Sequence, residues 1–173
     1  MIAANSQILR TLFVTGLQNA HAVEHQALAL IDRQLDRLVH YPEVAERLRF
    51  HRGETQHQIE RLDSILHSLG AGHSSFKDAA MSLIGNMAAM GNVFAADEVL
   101  KDALVNFAFE NFEIASYRAL IALAEAGAFP TAAAALQTSL DEERAMAAWL
   151  EESLPALTLK YAGLRADGKT ASH

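Results

Sequence analysis

The sequence contains no cysteine and little proline or glycine. Three prolines and nine glycines are spread over 173 residues, and aromatic residues make up 7% of the chain. Without a thiol, the chain cannot form a disulfide framework, a thiolate-ligated zinc or iron–sulfur site, or a cysteine nucleophile. Any metal in this protein must therefore be bound through oxygen and nitrogen.

The chain also lacks an excess of positive charge and a long apolar run. Its formal net charge is −7, which gives no strong field to attract nucleic acid or an acidic lipid surface. No window holds about 18 uninterrupted apolar residues, so we expect no membrane span. The first residues carry one arginine ahead of a short apolar patch and lack the layout of a signal peptide, so we expect a cytoplasmic protein.

Long runs of good helix formers lie between the few prolines and glycines. We expect a short helix over about 75–90 and four long helices over about 6–39, 42–69, 97–125 and 130–153. Pro42 and Pro130 are placed to open helices, and Gly70 is placed to cap one in a left-handed conformation. The helical pattern fades after the last run, which predicts a bundle over 1–154 and a partly ordered tail over 155–173.

Each long run carries an apolar stripe with positions three and four residues apart, the pattern of a bundle helix. The stretch between the second and third long helices is too long for a hairpin, so we expect it to cross the bundle, as ferritin-like folds require. The sequence thus predicts an all-α, ferritin-like four-helix bundle with an extra short helix in the crossover. That crossover is apolar and rich in methionine, which fits burial, a homodimer interface or docking of a protein partner.

Polar or ionisable residues interrupt every stripe near its middle, at similar depth. Buried carboxylates are costly unless something compensates their charge, and converging carboxylates repel one another. Two divalent cations would neutralise them, and carboxylates with one or two imidazoles at the centre of a four-helix bundle are the ligand set of di-iron and di-manganese sites. The inward residues are Glu24, His51 with Glu54, Glu110 with Glu113, and Glu143.

The choice of imidazole ligand stays open from the pattern alone. Glu54 and His57 have the Glu-x-x-His spacing known in such sites. At about 100° per residue, however, His57 lies well round the helix from the stripe, whereas His51 lies at its centre. We therefore rank His51 above His57. Taken singly, each glutamate could instead be a solvated surface residue, and each histidine a core residue satisfied by hydrogen bonds. Gln58 and Asn106 could hydrogen-bond each other across the bundle.

Further polar residues flank the stripes. His21 and His25 lie on either side of Glu24, so one of them is a candidate to contact the ligands and the other to be exposed. Tyr117 follows Glu113 by one turn and could hydrogen-bond a carboxylate, quench an oxidant or simply pack. Gln58 is a further candidate for contact with a metal.

Four motifs carry a resemblance to a known family. They are Leu12-Phe13-Val14 leading to Glu24-His25-Gln26, His51-x-x-Glu54-Thr55-x-x-Gln58-x-x-Arg61-Leu62, Phe109-Glu110-x-x-Glu113-Ile114-Ala115-x-Tyr117, and Leu136-Gln137-x-x-Leu140-Asp141-Glu142-Glu143. On these motifs, residues from about 11 to 154 resemble the YciE/YciF branch of the ferritin-like superfamily, small stress-associated bacterial proteins of poorly defined activity.

The resemblance implies a four-helix bundle that forms a homodimer and binds two iron or manganese ions through bridging carboxylates. The family commonly has acidic residues where this chain has Asn19 and Ala147. Because alanine at position 147 offers no ligand atom, the last helix has one carboxylate fewer than is common in the family. This predicts a weak or empty second metal position. Carried over by position, the ligands implied by the resemblance are Glu24, His51, Glu54, Glu110, Glu113 and Glu143.

Three functions remain open on the sequence. The first is a dinuclear iron or manganese protein that reacts with peroxide or oxygen during stress, an oxidase or peroxidase type of activity. The second is a non-enzymatic, stress-induced structural or partner-binding bundle in which metal is structural or absent. The third, an iron-storage cage or a DNA-protecting shell, is disfavoured because the chain has no basic arm and no evident pore helix.

Overall fold

The structure is a computed structural model and describes residues 2–71 and 99–169. These residues form α-helices and no strand, which confirms the predicted all-α fold. Within this part of the chain, no helix is long and apolar enough to cross a membrane. The four helices are α1 (Ile2–Leu35), α2 (Pro42–Ser68), α3 (Val99–Ala126) and α4 (Pro130–Ala166).

Proline and glycine set the helix boundaries as the sequence predicted. Pro42 and Pro130 lie in the first turn of α2 and α4, where the missing N–H would have no intrahelical partner. Gly70 follows α2 with a φ of +64°, a left-handed conformation that costs glycine little. After α3 the same conformation falls on Ala128, with a φ of 59°, rather than on Gly127.

The helices pack as antiparallel neighbours around a square. The helix α1 lies against α2 and α3, and α4 lies against α3 and α2. One apolar cluster joins the start of α1 and α4 to the end of α2 and α3. A second cluster joins the opposite ends of the same helices. The end of α2 and the start of α3 therefore lie at opposite ends of the bundle, and the chain must cross its length between them.

The crossover itself falls in the range 72–98, outside the described residues. The predicted helix over 75–90 and the contacts expected of it therefore stay predictions. The position of its two ends agrees with a ferritin-like connection, in which one long crossover joins two helices of the same direction.

The last helix extends beyond the expected end near Ser153 and continues to Ala166. It passes through Pro155, although a proline within a helix removes one hydrogen bond and crowds the preceding turn. Two contacts with other helices lie beyond the proline. Leu157 is buried in the second apolar cluster, and Lys160 binds Glu43 at the start of α2 at 2.9 Å.

A buried amide pair connects α1 to α3. Gln34 Nε2 donates to Asn106 Oδ1 at 3.0 Å, and Asn106 Nδ2 donates to Gln34 Oε1 at 2.8 Å. The interpretation that Asn106 pairs with Gln58 was wrong, because Asn106 faces α1 whereas Gln58 contacts α4. The reciprocal pair satisfies both amides and fixes the relative height of the two helices.

Breaking this pair on one side should cost more than removing it altogether. We expect Asn106→Leu to lower the free energy of unfolding by about 1–3 kcal/mol, because it leaves the buried Gln34 amide without a partner. The double variant Gln34→Leu with Asn106→Leu should recover much of that loss. Urea denaturation of the two single variants and the double variant measures the coupling, and strictly additive losses would show that the amides act independently.

Candidate metal centre

Five of the six predicted ligands are buried in the middle of the bundle, between the two apolar clusters. Each is at most 5% exposed, and together they come from all four helices. The sixth, Glu54, is 16% exposed at its side chain. Helical spacing explains the convergence, because residues three or four positions apart share the face that each helix turns to its neighbours. The five are Glu24, His51, Glu110, Glu113 and Glu143.

His51, Glu110 and Glu143 form the tightest group, with one side chain each from α2, α3 and α4. One ligand atom of each lies within 4.8 Å of the others. His51 Nε2 lies 3.3 Å from Glu110 Oε2 and 3.7 Å from Glu143 Oε2. A nitrogen and two carboxylate oxygens at this separation can surround a single cation. The group is therefore compatible with a metal site.

Glu24 and Glu113 extend this group towards α1. Glu24 Oε1 accepts a hydrogen bond of 2.5 Å from the Tyr117 hydroxyl. Its other oxygen and both oxygens of Glu113 are buried without a hydrogen-bond partner. Tyr117 thus contacts a carboxylate, one of the roles that its spacing had suggested.

Burial and mutual repulsion raise the pKa of these carboxyl groups. Burial is the main cause for Glu24, whose pKa rises from 4.5 to about 8. Burial also raises the pKa of Glu113 and Glu143 well above the ordinary value, and neighbouring glutamates add to the effect. Without a bound cation, the centre therefore retains protons at neutral pH that separate carboxylates would have lost.

His51 is held by carboxylates on both ring nitrogens. Its Nδ1 lies 2.9 Å from Glu54 Oε2, and Arg47 lies 3.9 Å from the same carboxylate oxygen. Burial lowers the pKa of His51, but Glu110 and Glu54 outweigh this effect and raise the pKa from 6.5 to about 9. A carboxylate on Nδ1 is the arrangement that orients metal-binding histidines. Glu54 therefore contacts the Nδ1 side of the ring, and Nε2 faces Glu110 and Glu143.

A polar network on the α2–α4 side was not recognised from the sequence. Arg61 donates to both oxygens of Glu142, at 2.6 and 2.7 Å. Gln58 Nε2 donates to Glu142 Oε2 at 3.0 Å and also to Glu143. The network joins a partly exposed ion pair to the buried centre. The spacing of Gln58 and Arg61 was a usable signal, because residues three apart on α2 face the same neighbouring helix.

The remaining histidine candidates lie away from the central group. His57 is exposed on α2. His21 is buried, with its Nε2 3.1 Å from Asp63 Oδ1, and its ring contacts that of the exposed His25. One of the flanking histidines is thus buried and the other exposed, although the buried one pairs with an aspartate of α2.

The metal-free protein should lose stability as the pH rises. The pKa of Glu24 is about 8 when folded and 4.5 as a free group, so the unfolded chain releases this proton first and stability falls between those values. His51 acts in the same direction, because its stabilising charge is complete below 6.5 and is lost towards about 9. We expect chelator-treated protein to unfold at a lower urea concentration at about pH 8 than at about pH 5.

Glu24→Gln should flatten this dependence, because the amide cannot titrate. Between the free and folded pKa values of Glu24, 4.5 and about 8, the free energy of unfolding should fall less steeply with pH in the variant than in the wild type. The difference in slope should approach about 1.4 kcal/mol per pH unit. Glu60→Gln is the matched control, since Glu60 is exposed on α2. Equal slopes in both variants would contradict the assignment of the pH dependence to Glu24.

Comparison with known proteins places the chain among proteins of one family. A family described as a domain of unknown function, DUF892, matches residues 8–163. Protein YciF of Escherichia coli K12 is 29% identical over 152 residues, which cover 82% of this chain and 87% of YciF. These matches confirm the resemblance to YciF-type proteins.

Two solved structures have a similar fold. A protein from Xanthomonas campestris pv. campestris superposes with a TM-score of 0.76 at 28% identity, over 91% of this chain and 99% of its own. YcfI from Rhodopseudomonas palustris, described as a proposed structural protein, superposes with a TM-score of 0.66 at 28% identity, over 83% of this chain and 92% of its own. The bundle is therefore a fold that related bacterial proteins share.

Proposed function

The chain belongs to the DUF892 family, and from this premise we propose that it is a dinuclear metal-binding protein. The metals are iron or manganese, bridged by carboxylates, and the protein reacts with peroxide or oxygen during stress. The proposal follows from the donor set of the buried centre, which consists of carboxylate oxygens and one imidazole.

One observation carries the proposal: the buried carboxylates lie close together with little positive charge among them. Among the residues that the structure describes, no lysine or arginine forms an ion pair with Glu24, Glu110, Glu113 or Glu143, and each of them has an oxygen without a hydrogen bond. His51 is the one cationic group within ion-pair distance of two of them. Two divalent cations carry as much positive charge as four carboxylates carry negative charge, so this donor set fits a dinuclear centre.

Two groups of residues would hold the metals. His51, Glu110 and Glu143 converge on one position, and Glu24 with Glu113 would serve the other. Tyr117 fixes Glu24, and Glu54 fixes the His51 ring from the far nitrogen. When bound, iron or manganese supplies the electrons that peroxide or oxygen takes up.

The second position has fewer donors than the family commonly provides. Ala147 is buried one turn after Glu143 and offers no ligand atom, and Met146 beside it is fully buried as well. The last helix therefore contributes only Glu143 to the proposed set. Weaker binding at the Glu24 and Glu113 position follows, because fewer protein ligands hold an ion there.

A non-enzymatic role is the second candidate. Its support is the similarity to YcfI, which is itself described as a proposed structural protein. In that case the bundle would act as a structural or partner-binding protein in which metal is structural or absent. A protein partner at the apolar crossover belongs to this candidate. The homodimer that the family resemblance implies is compatible with either candidate, and both stay proposals.

Metal content tests the dinuclear centre. We expect protein purified without chelator to contain about two iron or manganese ions per chain. Glu110→Gln and Glu143→Gln should each lower the content while circular dichroism stays unchanged. Glu125→Gln is the control on α3, because Glu125 is exposed. Metal-free wild-type protein that also fails to take up added iron or manganese would contradict the dinuclear proposal.

Peroxide consumption tests the reactivity separately. We expect the iron- or manganese-loaded protein to remove hydrogen peroxide in the presence of a reductant. Glu110→Gln should slow this reaction, because the variant holds less metal. The chain has no cysteine, so the reductant has to be supplied from outside the protein. Full metal occupancy with no peroxide or oxygen consumption, across several reductants, would favour the structural candidate.

A further inference from the structure

Gln58 has a half-satisfied amide beside the candidate metal centre. Its side chain is fully buried, and Nε2 donates to Glu142 at 3.0 Å and to Glu143. Its oxygen, Oε1, is buried without any hydrogen-bond partner. The buried Gln34 differs, because both ends of its amide are bonded to Asn106.

The orientation of this amide is fixed by its neighbours. Arg61 holds both oxygens of Glu142 in a bidentate pair, which keeps that carboxylate an acceptor. Glu143 contacts the same amide through an oxygen. With a cation bound and both carboxylates ionised, the two acceptor groups require the NH₂ end of Gln58 on their side, because a flipped amide would place three oxygens together without a proton. Oε1 is therefore left as a buried acceptor that needs a donor.

The described side chains around the centre do not supply that donor. When a cation is bound, the glutamates of the centre are ionised and only accept hydrogen bonds. The Tyr117 hydroxyl donates to Glu24, and the two nitrogens of His51 face Glu54 and Glu110. Because an unpaired buried acceptor is costly, a small molecule with an O–H group fits this position. Water and hydrogen peroxide have such a group, whereas dioxygen has none.

We propose that Gln58 Oε1 binds a small protic ligand beside Glu143, water when the protein is idle and hydrogen peroxide as the substrate. This inference rests on the proposed function, which it deepens by naming peroxide rather than dioxygen as the preferred oxidant. The preference follows from the hydrogen bond, because peroxide can donate to Oε1 and dioxygen cannot.

A crystal structure of the wild-type protein with iron or manganese added tests the binding directly. We expect an ordered water within about 3.2 Å of Gln58 Oε1. A hydrogen bond to Oε1 from a carboxyl group of Glu113 or Glu143 would overturn the proposal, and so would an Oε1 with no donor at all. The crystal structure tests the binding of water at Gln58 Oε1 even if the purified protein holds no metal, because protein atoms define the binding position.

Oxidation kinetics test the preference. In the assay, hydrogen peroxide takes one electron from each of two ferrous ions and two protons from solvent, its O–O bond breaks, and two waters form. We expect Gln58→Leu to slow oxidation by peroxide about tenfold, the value of one lost hydrogen bond, and to leave oxidation by dioxygen within about twofold. Gln56→Leu, the same change at an exposed position of α2, is the control.

The two proposals fail in different ways. Wild-type protein that takes up no metal refutes the dinuclear function. Full metal content in Gln58→Leu with an unchanged peroxide rate refutes the role of Oε1 alone. Equal losses with peroxide and dioxygen would show that Gln58 only positions Glu143, which also overturns the proposal. If Gln58→Leu does not fold or does not bind metal, the crystallographic result decides.

Discussion

Four glutamates and His51 lie together in the interior of this bundle, and the charge of that group governs the rest of the structure. Glu24, Glu110, Glu113 and Glu143 come from three of the four helices, and His51 comes from the remaining one. Carboxylates this close cannot all ionise in an apolar interior unless positive charge lies among them. Protons meet part of this need, as the raised pKa values of Glu24, Glu113 and Glu143 indicate. Cations meet it more completely, because one divalent ion balances two carboxylates.

The apolar clusters at the two ends of the bundle make this polar middle tolerable. Leu17, Leu62 and Leu136 pack at one end, and Ile31, Leu48 and Leu150 pack at the other. Apolar burial at both ends stabilises the helices on either side of the centre. The fold is therefore determined mostly by residues that have no part in the chemistry. Variants at the centre are therefore expected to retain their helices, so that the proposed metal binding can be tested by mutation.

Much of the fold and the identity of the buried residues were predictable, for a simple physical reason. Helical periodicity places Glu24, His51 and Glu143 on the same faces as the leucines around them, and the faces of four helices can only meet in the middle. Periodicity does not give side-chain partners, however. It could not distinguish Glu142 from a surface residue or pair Asn106 with Gln34. It also ended α4 near Ser153, because the contacts of Leu157 and Lys160 that hold the last turns are tertiary.

Two buried glutamines of this bundle differ in how their amide groups are hydrogen-bonded. Gln34 has a partner for its donor and for its acceptor, and both come from Asn106. Such a closed pair needs nothing further and serves to align two helices. Gln58 gives its donor to two carboxylates and leaves its acceptor empty. Since folding alone would favour a satisfied or an apolar residue at that position, the unsatisfied oxygen is the feature that the proposed ligand of Gln58 would account for.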